Sequence, residues 1–400
     1  MAASLTPPRA ALAATSGIVL VHMDFLVTGV VMTFLGPMLP QLSARWSLND
    51  AGAGTLIFAQ FFSSMFGMLL SGVLVGRVGY RLTFIIGLLL MASGMAGLAS
   101  GPWLEGIAAV CTLGVGYGIT TPAGNLRTAE VSAGRSASAL NVINAVWGVG
   151  AMSSPVFVAA ALRIHRPSRF LYGTAAALMA LMIAMARSRF RPDLHAQIPS
   201  RSGETALYRS PMVFLISFLF FVYVGTETCF GQWVATYARR VGTGPHWVAA
   251  LTPTFFYGAL LLGRLLAPVA LKVSSVSTLA RAGLVTAALG GVCLMAAEGT
   301  ALIAAGAFLA GLGLASIFPI SVSLLPHWFG DSTRQASSPV FASGNAGGAV
   351  LPWLLGVAST HYLGLRLAFS IPLVGSIAML VFYIAATSSR ARPNPPAGDS

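Results

Sequence analysis

Long apolar runs alternate with short polar breaks along the whole chain. Each run approaches the roughly 20 apolar residues that a helix needs to cross a hydrocarbon core of about 30 Å. Bounded by charges, Gly/Pro clusters and Trp, the runs predict helices over 15–42, 50–76, 82–100, 104–126, 136–162 and 168–187. A second set is predicted over 210–238, 246–271, 275–297, 300–326, 335–360 and 365–388. The fold class this implies is an all-α integral membrane protein, with twelve transmembrane helices in two pseudo-symmetric six-helix bundles. The longest polar stretch, Arg187 to Arg209, holds five arginines with Pro192 and Pro199 and divides the two sets. The expected organisation is therefore an N-terminal bundle over 1–186, a cytoplasmic linker over 187–209, a C-terminal bundle over 210–390 and a disordered tail over 391–400. The first apolar run, Gly17 to Leu42, is too long for a signal-peptide core and reads as a retained helix.

The second set echoes the first. An offset of 191 takes Gln41 to Gln232, Gly67 to Gly258 and Gly72 to Gly263. An offset of 197 takes Gly114 to Gly311, Pro122 to Pro319, Gly150 to Gly347 and Pro155 to Pro352. Ordered matches of this kind indicate an internal duplication, a common way of building transporters. The four prolines are expected to kink their helices.

Composition agrees with lipid as the solvent: 56% of residues are apolar and 8% charged, against about 25% charged in soluble domains. The net charge of +13 does not signal nucleic acid, because the basic residues sit between apolar runs rather than on one face. Counting Lys and Arg by connection gives 14 on the side of both termini and 7 on the other, so both termini are expected in the cytoplasm. The cluster Arg163, Arg166 and Arg169 opposes that bias. Cys111, Cys229 and Cys293 lie inside apolar runs with no CxxC and no histidine at ligand spacing, so neither a disulfide framework nor a metal site is expected. No phosphate-binding loop, paired metal ligands or Ser-His dyad points to an enzyme.

The stretch Gly72-Val-Leu-Val-Gly76-Arg77-Val-Gly79-Tyr80-Arg81 resembles the signature loop of the major facilitator superfamily, Gly-x-Leu-x-Asp-Arg-x-Gly-Arg-Arg. The family's acid is Gly76 here, whereas Arg77 and Arg81 match and are assigned a gating role by the resemblance. The run from Phe221 through Glu227 to Gln232 and Trp233 is similar to the fucose-galactose-glucose symporter branch and its sodium-dependent glucose transporter relatives, as are Gly116 to Asn125 and Leu140 to Gly148. The acids that fucose permease-like relatives carry in helices one and four fall on Gly36 and Thr121. The resemblance implies a secondary active transporter in the bacterial inner membrane, acting as a monomer on a small-molecule substrate in contact with membrane lipid. A monosaccharide moved by ion-coupled symport and alternating access is the first choice. A proton-coupled multidrug or metabolite antiporter is the alternative. No cofactor is expected beyond the coupling proton or sodium ion.

Ionisable groups at membrane depth carry the physical signal, since a bare charge there costs about 2.5 kcal/mol or more. Glu227 lies roughly 25 Å from the cytoplasmic end of its helix at 1.5 Å per residue, and reads either as a coupling or binding acid or as a structural one. Asp24 and Arg264 each lie about 12 Å from that face by the same rise; they are expected either to pair as a cytoplasmic gate in the outward-open state or to snorkel separately, and Asp24 is with Glu227 a candidate for ion coupling. His22 reads more readily as a hydrogen-bonded structural group than as a relay. The candidates for sugar binding are Gln60, Asn125, Asn141, Asn144, Trp147, Gln232, Trp233 and Asn345, amides and indoles suited to hydroxyls and the C–H face of a sugar ring. For the asparagines, polar contacts between helices are an equal alternative.

Overall fold

The computed structural model describes residues 9–132, 135–188, 211–242, 244–329 and 333–388. Most of the expected linker and all of the expected tail lie outside these described residues. In chain order the helices are α1 (Arg9–Thr33), α2 (Leu35–Trp46), α3 (Asp50–Leu98), α4 (Trp103–Val131), α5 (Ser136–Arg163) and α6 (Pro167–Arg187). They are followed by α7 (Pro211–Val241), α8 (His246–Ala270), α9 (Val276–Ala296), α10 (Thr300–Leu314) and α11 (Ile317–Phe329). The last are α12 (Thr333–Ala358), α13 (Gly364–Ala368) and α14 (Ser370–Ser388), with a π-helical turn at Ser359–Leu363 before α13.

Among the described residues nine helices are long and apolar enough to cross a membrane. The pair α1 and α2 adds one bent span, and Ser370–Ala385 is a shorter apolar helix. The 49 residues of α3 would stretch about 70 Å as one rod, over twice the hydrocarbon thickness. Gly79, at φ 77° and ψ 168°, divides them into two limbs. A side chain at such a φ is strained. With α3 as two limbs and Ser370–Ala385 as a short last helix, the described helices follow the order of the twelve crossings expected from the sequence. The 77–81 connection expected as a loop is instead this single hinge residue.

The first span departs from its expected straight run. It bends by 41° at Phe34, between α1 and α2, where Pro37 cannot donate an amide to the carbonyl four residues back. Three carbonyls just before the bend accept side-chain hydrogen bonds. Ser154 Oγ bonds Val30 at 3.0 Å, Gln60 Nε2 bonds Val31 at 3.1 Å and Gln232 Nε2 bonds Met32 at 3.2 Å. The kink expected at Pro319 is present as a break between α10 and α11 at Ala315 and Ser316, four and three residues before that proline. By contrast α4, α5 and α12 run on through Pro122, Pro155 and Pro352.

Packing follows the duplication. In the first six spans α3 packs on α4 and α6, and α1 on α5; in the last six α7 packs on α12, and α10 on both α8 and α9. A Cβ on Gly150 would overlap the carbonyl of Leu26 on α1, and one on its counterpart Gly347 would overlap that of Phe221 on α7. Such small residues let helices meet where lipid supplies no hydrophobic drive. The halves join through α2 with α7, α3 with α12 and α5 with α8. Among the described residues the polar ties of this seam concentrate at the end carrying the α2–α3, α7–α8 and α12–α14 connections, called here the sealed end: Asp50 bonds Arg240 and Ser359, and Ala51 bonds Thr360.

Candidate functional site

Tyr223, Glu227 and Gly231 stand at i, i+4 and i+8 on α7 and so share a face. The Tyr223 hydroxyl donates to the Glu227 carboxylate and lies 3.4 Å from the Leu314 carbonyl at the end of α10. Across from them α8 presents Tyr257 and Arg264, two turns apart. Arg264 Nη2 is 3.5 Å from Glu227 Oε2. Charge-assisted bonds are commonly about 2.7–2.9 Å, so this pair is loose. The side chains of Arg264 and Glu227 keep 25% and 17% exposure, so the pair borders open space rather than being walled in. Arg264 Nε is buried with no hydrogen-bond partner. The Tyr257 ring closes one side: a Cβ on Gly231 would overlap its hydroxyl.

The first half contributes a second acid. Asp24 on α1 is fully buried, and neither carboxyl oxygen has a hydrogen-bond partner. An unpaired buried charge costs several kcal/mol, so the charge of such a carboxyl is tied to binding a proton or a cation. Tyr117 of α4 lies beside Thr121 and Trp147, within electrostatic range of both Asp24 and Glu227. Among the described residues Asn125 Oδ1 is buried with no hydrogen-bond partner, and Thr121 Oγ1 and Trp147 Nε1 are buried beside the Tyr117 hydroxyl. Polar atoms and aromatic rings thus stand on α4, α5, α7 and α8, with Tyr117 of the first half within electrostatic range of Glu227 of the second.

The remaining sequence candidates divide. Asn141 and Asn144 are exposed on α5, Asn144 donating to Leu140 within its own helix at 2.7 Å. Asn345 is half-buried and donates to Phe341 at 3.2 Å, with Met68 Sδ of the other half 3.3 Å away. Three of the candidates are enclosed by helix packing in this conformation. Trp233 is fully buried, its indole donating to the Pro352 carbonyl at 2.9 Å, so it fastens α7 to α12. Gln60 and Gln232 are likewise buried; their amide nitrogens donate to carbonyls at the bend in the first span, and among the described residues their Oε1 atoms have no hydrogen-bond partner. His22 holds Ile18 O at 2.8 Å from Nδ1, the structural alternative expected for it.

The partner of Arg264 in this conformation is Glu227 and not Asp24, even though counting from helix ends set Glu227 about 13 Å deeper. Two causes remove that gap. The 31 residues of α7 overshoot the membrane, so its first residue is not at the surface. Helical side chains also lean toward the N-terminus, and because α7 and α8 run in opposite directions, Glu227 and Arg264 lean toward each other.

At the signature loop Arg77 is exposed, and Arg81 donates to the Ala186 carbonyl at the C-terminus of α6, where a cation is favoured. Sequence reasoning passed over Tyr80, which is buried and donates to Glu130 at 2.7 Å under the Arg127 guanidinium. It passed over Tyr117, Tyr223 and Tyr257 as well, although tyrosines one or two turns from an intramembrane ion pair are a readable signal. An apolar cavity of about 210 Å³ between α8, α9 and α10 is lined by none of these candidates.

A sequence profile described as Major Facilitator Superfamily matches residues 25–280. The chain is 23% identical over 349 residues to the glucose/mannose transporter GlcP of Bacillus subtilis, covering 83% of this chain and 85% of that one. It is 25% identical over 389 residues to a glucose/galactose transporter of Brucella abortus, covering 90% and 91%. A crystal structure of a mutant of the nucleoside transporter NupG superposes with a TM-score of 0.78 at 14% identity, covering 93% of this chain and 99% of that one.

Proposed function

The chain belongs to the Major Facilitator Superfamily, a family of multi-pass membrane transporters rather than enzymes, and from that membership we propose that it carries a monosaccharide by ion-coupled symport. The observation that supports this reading best is the loose, partly accessible Glu227–Arg264 pair beside Tyr223, set among unsatisfied polar atoms. Glu227 and Arg264 bind sugar hydroxyls, and the rings of Tyr117, Trp147 and Tyr257 offer faces to the sugar's C–H surface. Asp24, enclosed and unpartnered, exchanges the coupling proton or binds the coupling sodium ion. Glucose, mannose and galactose, the sugars in the names of the two relatives, are the first solutes to try.

In this reading the protein works as a monomer in a bacterial inner membrane with both termini in the cytoplasm, which makes the sealed end external and the conformation inward-facing. The test is uptake into proteoliposomes over a panel of sugars, nucleosides and drugs, with proton and sodium gradients imposed separately. Concentrative uptake of a hexose under one gradient is expected. Gradient-driven export of an amphipathic drug, with no hexose flux under either ion, would replace this reading with the antiporter one.

A further inference from the structure

The apolar cavity of about 210 Å³ between α8, α9 and α10 lies apart from the candidate site. Small residues make the room: Gly263, Ala267 and Ala270 on α8, Ala282 and Gly283 on α9, and Gly313 on α10. Leu266, which also lines it, is 50% exposed, and Leu265 and Val269 beside the lining residues are more exposed still. The cavity is therefore a crevice that opens on the lipid-facing side of the bundle. In the first half the same place is shut. Val75 and Tyr80, the counterparts of Leu266 and Leu271 at the offset of 191, are 5% and 1% exposed, and Ser71 Oγ ties the helices there by donating to the Ile119 carbonyl at 2.7 Å. Leu271 instead turns outward, 38% exposed. One half fills the space with its own side chains, and the other leaves it to the surroundings.

The crevice runs to the α8–α9 turn, at the end of the bundle opposite the sealed one, where Ala270 closes α8 and Leu279 stands in the first turn of α9. Two cations stand at that mouth. Lys272 is exposed in the turn, and Arg281 is exposed on α9 and leans back toward the turn, its Nε donating to the Ser277 carbonyl at 3.3 Å. The N-terminus of α9, where Ser275 Oγ accepts from the Thr278 amide at 3.1 Å, adds partial positive charge at the same place. Among the described residues from α8 to α11 the one acid is Glu298, in the α9–α10 connection at the far end.

We propose that this crevice binds an anionic phospholipid of the bilayer, with one acyl chain between α8, α9 and α10 and the headgroup phosphate on Lys272 and Arg281. The size suits a stretch of one chain. A volume of about 210 Å³ falls short of the roughly 300–1,000 Å³ that drug-sized ligands fill, yet exceeds the roughly 150 Å³ that admits a benzene ring. The chemistry suits it as well, since Thr286 in the lining spends its hydroxyl on the Ala282 carbonyl at 2.9 Å. The chain braces the turn of α8 that carries Arg264, the residue after Gly263. The site stands whether or not the transported solute is a sugar.

The test reads the bound lipid directly. The full chain is reconstituted in phosphatidylcholine liposomes doped with a phosphatidylglycerol that carries a diazirine on one acyl chain, then irradiated, and the adducts are mapped by peptide mass spectrometry. Adducts are expected on α8 and α9 between residues 263 and 286. A phosphatidylcholine bearing the same diazirine should label them about ten- to thirty-fold less, the preference that two basic residues at a membrane surface confer. Lys272→Gln with Arg281→Gln should bring the two lipids to parity. Ala267→Leu with Ala282→Leu fills the crevice and should remove adducts there while leaving those elsewhere on the protein as in the parent. Should the leucine pair fail to fold, the charge pair at the surface decides alone. Equal labelling by both lipids in the parent reduces the crevice to ordinary bilayer contact and overturns the site. Labelling that survives the leucine pair, or a lipid preference that survives the charge pair, overturns it too.

Discussion

Replacing Glu227 by Gln keeps the shape of the side chain and leaves an amide oxygen to accept from Tyr223, while removing the charge opposite Arg264. At 3.5 Å and an effective dielectric of about 20, a unit pair is worth about 5 kcal/mol before desolvation is subtracted. The residual water access of both side chains brings the cost of orphaning Arg264 to about 2–3 kcal/mol. A sugar hydroxyl that donates to the carboxylate loses a further charge-assisted bond, about 1.5–3 kcal/mol, which is roughly a 10- to 150-fold rise in KM. The two losses separate in a double-mutant cycle. Glu227→Gln with Arg264→Gln no longer strands a charge, so thermal stability in detergent should recover most of what the single change removed, while KM should stay high. Uptake kinetics in proteoliposomes and melting by intrinsic fluorescence supply the two axes. If Glu227→Gln transports with parental KM, rate and ion dependence, the acid is structural and the site assignment is wrong. If the double variant regains the parental KM, Glu227 serves only to neutralise Arg264.

Asp24→Asn should fold, since an amide fills the same buried space without a charge, and should exchange substrate across the membrane while losing gradient-driven accumulation; accumulation equal to the parent's refutes a coupling role. Trp233→Phe removes a buried bond to the Pro352 carbonyl and should cost about 1–3 kcal/mol of stability with less than about a two-fold change in KM, whereas a large KM change would return Trp233 to the binding site. Gly79→Ala forces a Cβ into φ 77°, ψ 168° at a cost of about 1–3 kcal/mol, visible as a lower melting temperature. Gly231→Ala places a methyl on the Tyr257 hydroxyl and should raise KM while leaving stability the less affected of the two.

The twelve spans were legible because each is an apolar run of membrane length, and the glycine echoes were legible because close helix approach needs the same small residue in both halves. Gly114 against the backbone of Gln60 and Gly311 against that of Phe256 each pack on a carbonyl of a neighbouring helix. The bend at Phe34 was not legible, since Pro37 and Pro40 sit within an unbroken apolar run and nothing there marks which turn gives way. Polar residues inside such runs look alike from sequence whether they face a cavity or a neighbouring helix. That is why Gln60, Gln232 and Trp233 were grouped with Asn125 and Trp147. The Glu227–Arg264 partnership escaped because depth counted in residues ignores helix overhang and the direction in which side chains lean. Asp50 and Arg240 are 190 positions apart, and each alone reads as an ordinary charge at a helix end.

The short limb after the bend in the first span has a history written into it. α2 packs chiefly on α7 and α8 of the other half rather than on its own neighbours, and a Cβ on Gly36 would come within 2.8 Å of the Gln232 backbone and side-chain oxygen. Positions 36 and 232 are therefore not free to drift separately: bulk gained at one must be matched by bulk lost at the other. Across descendants of the ancestral duplication the two columns should covary, even though they lie in different repeats and far apart in the chain.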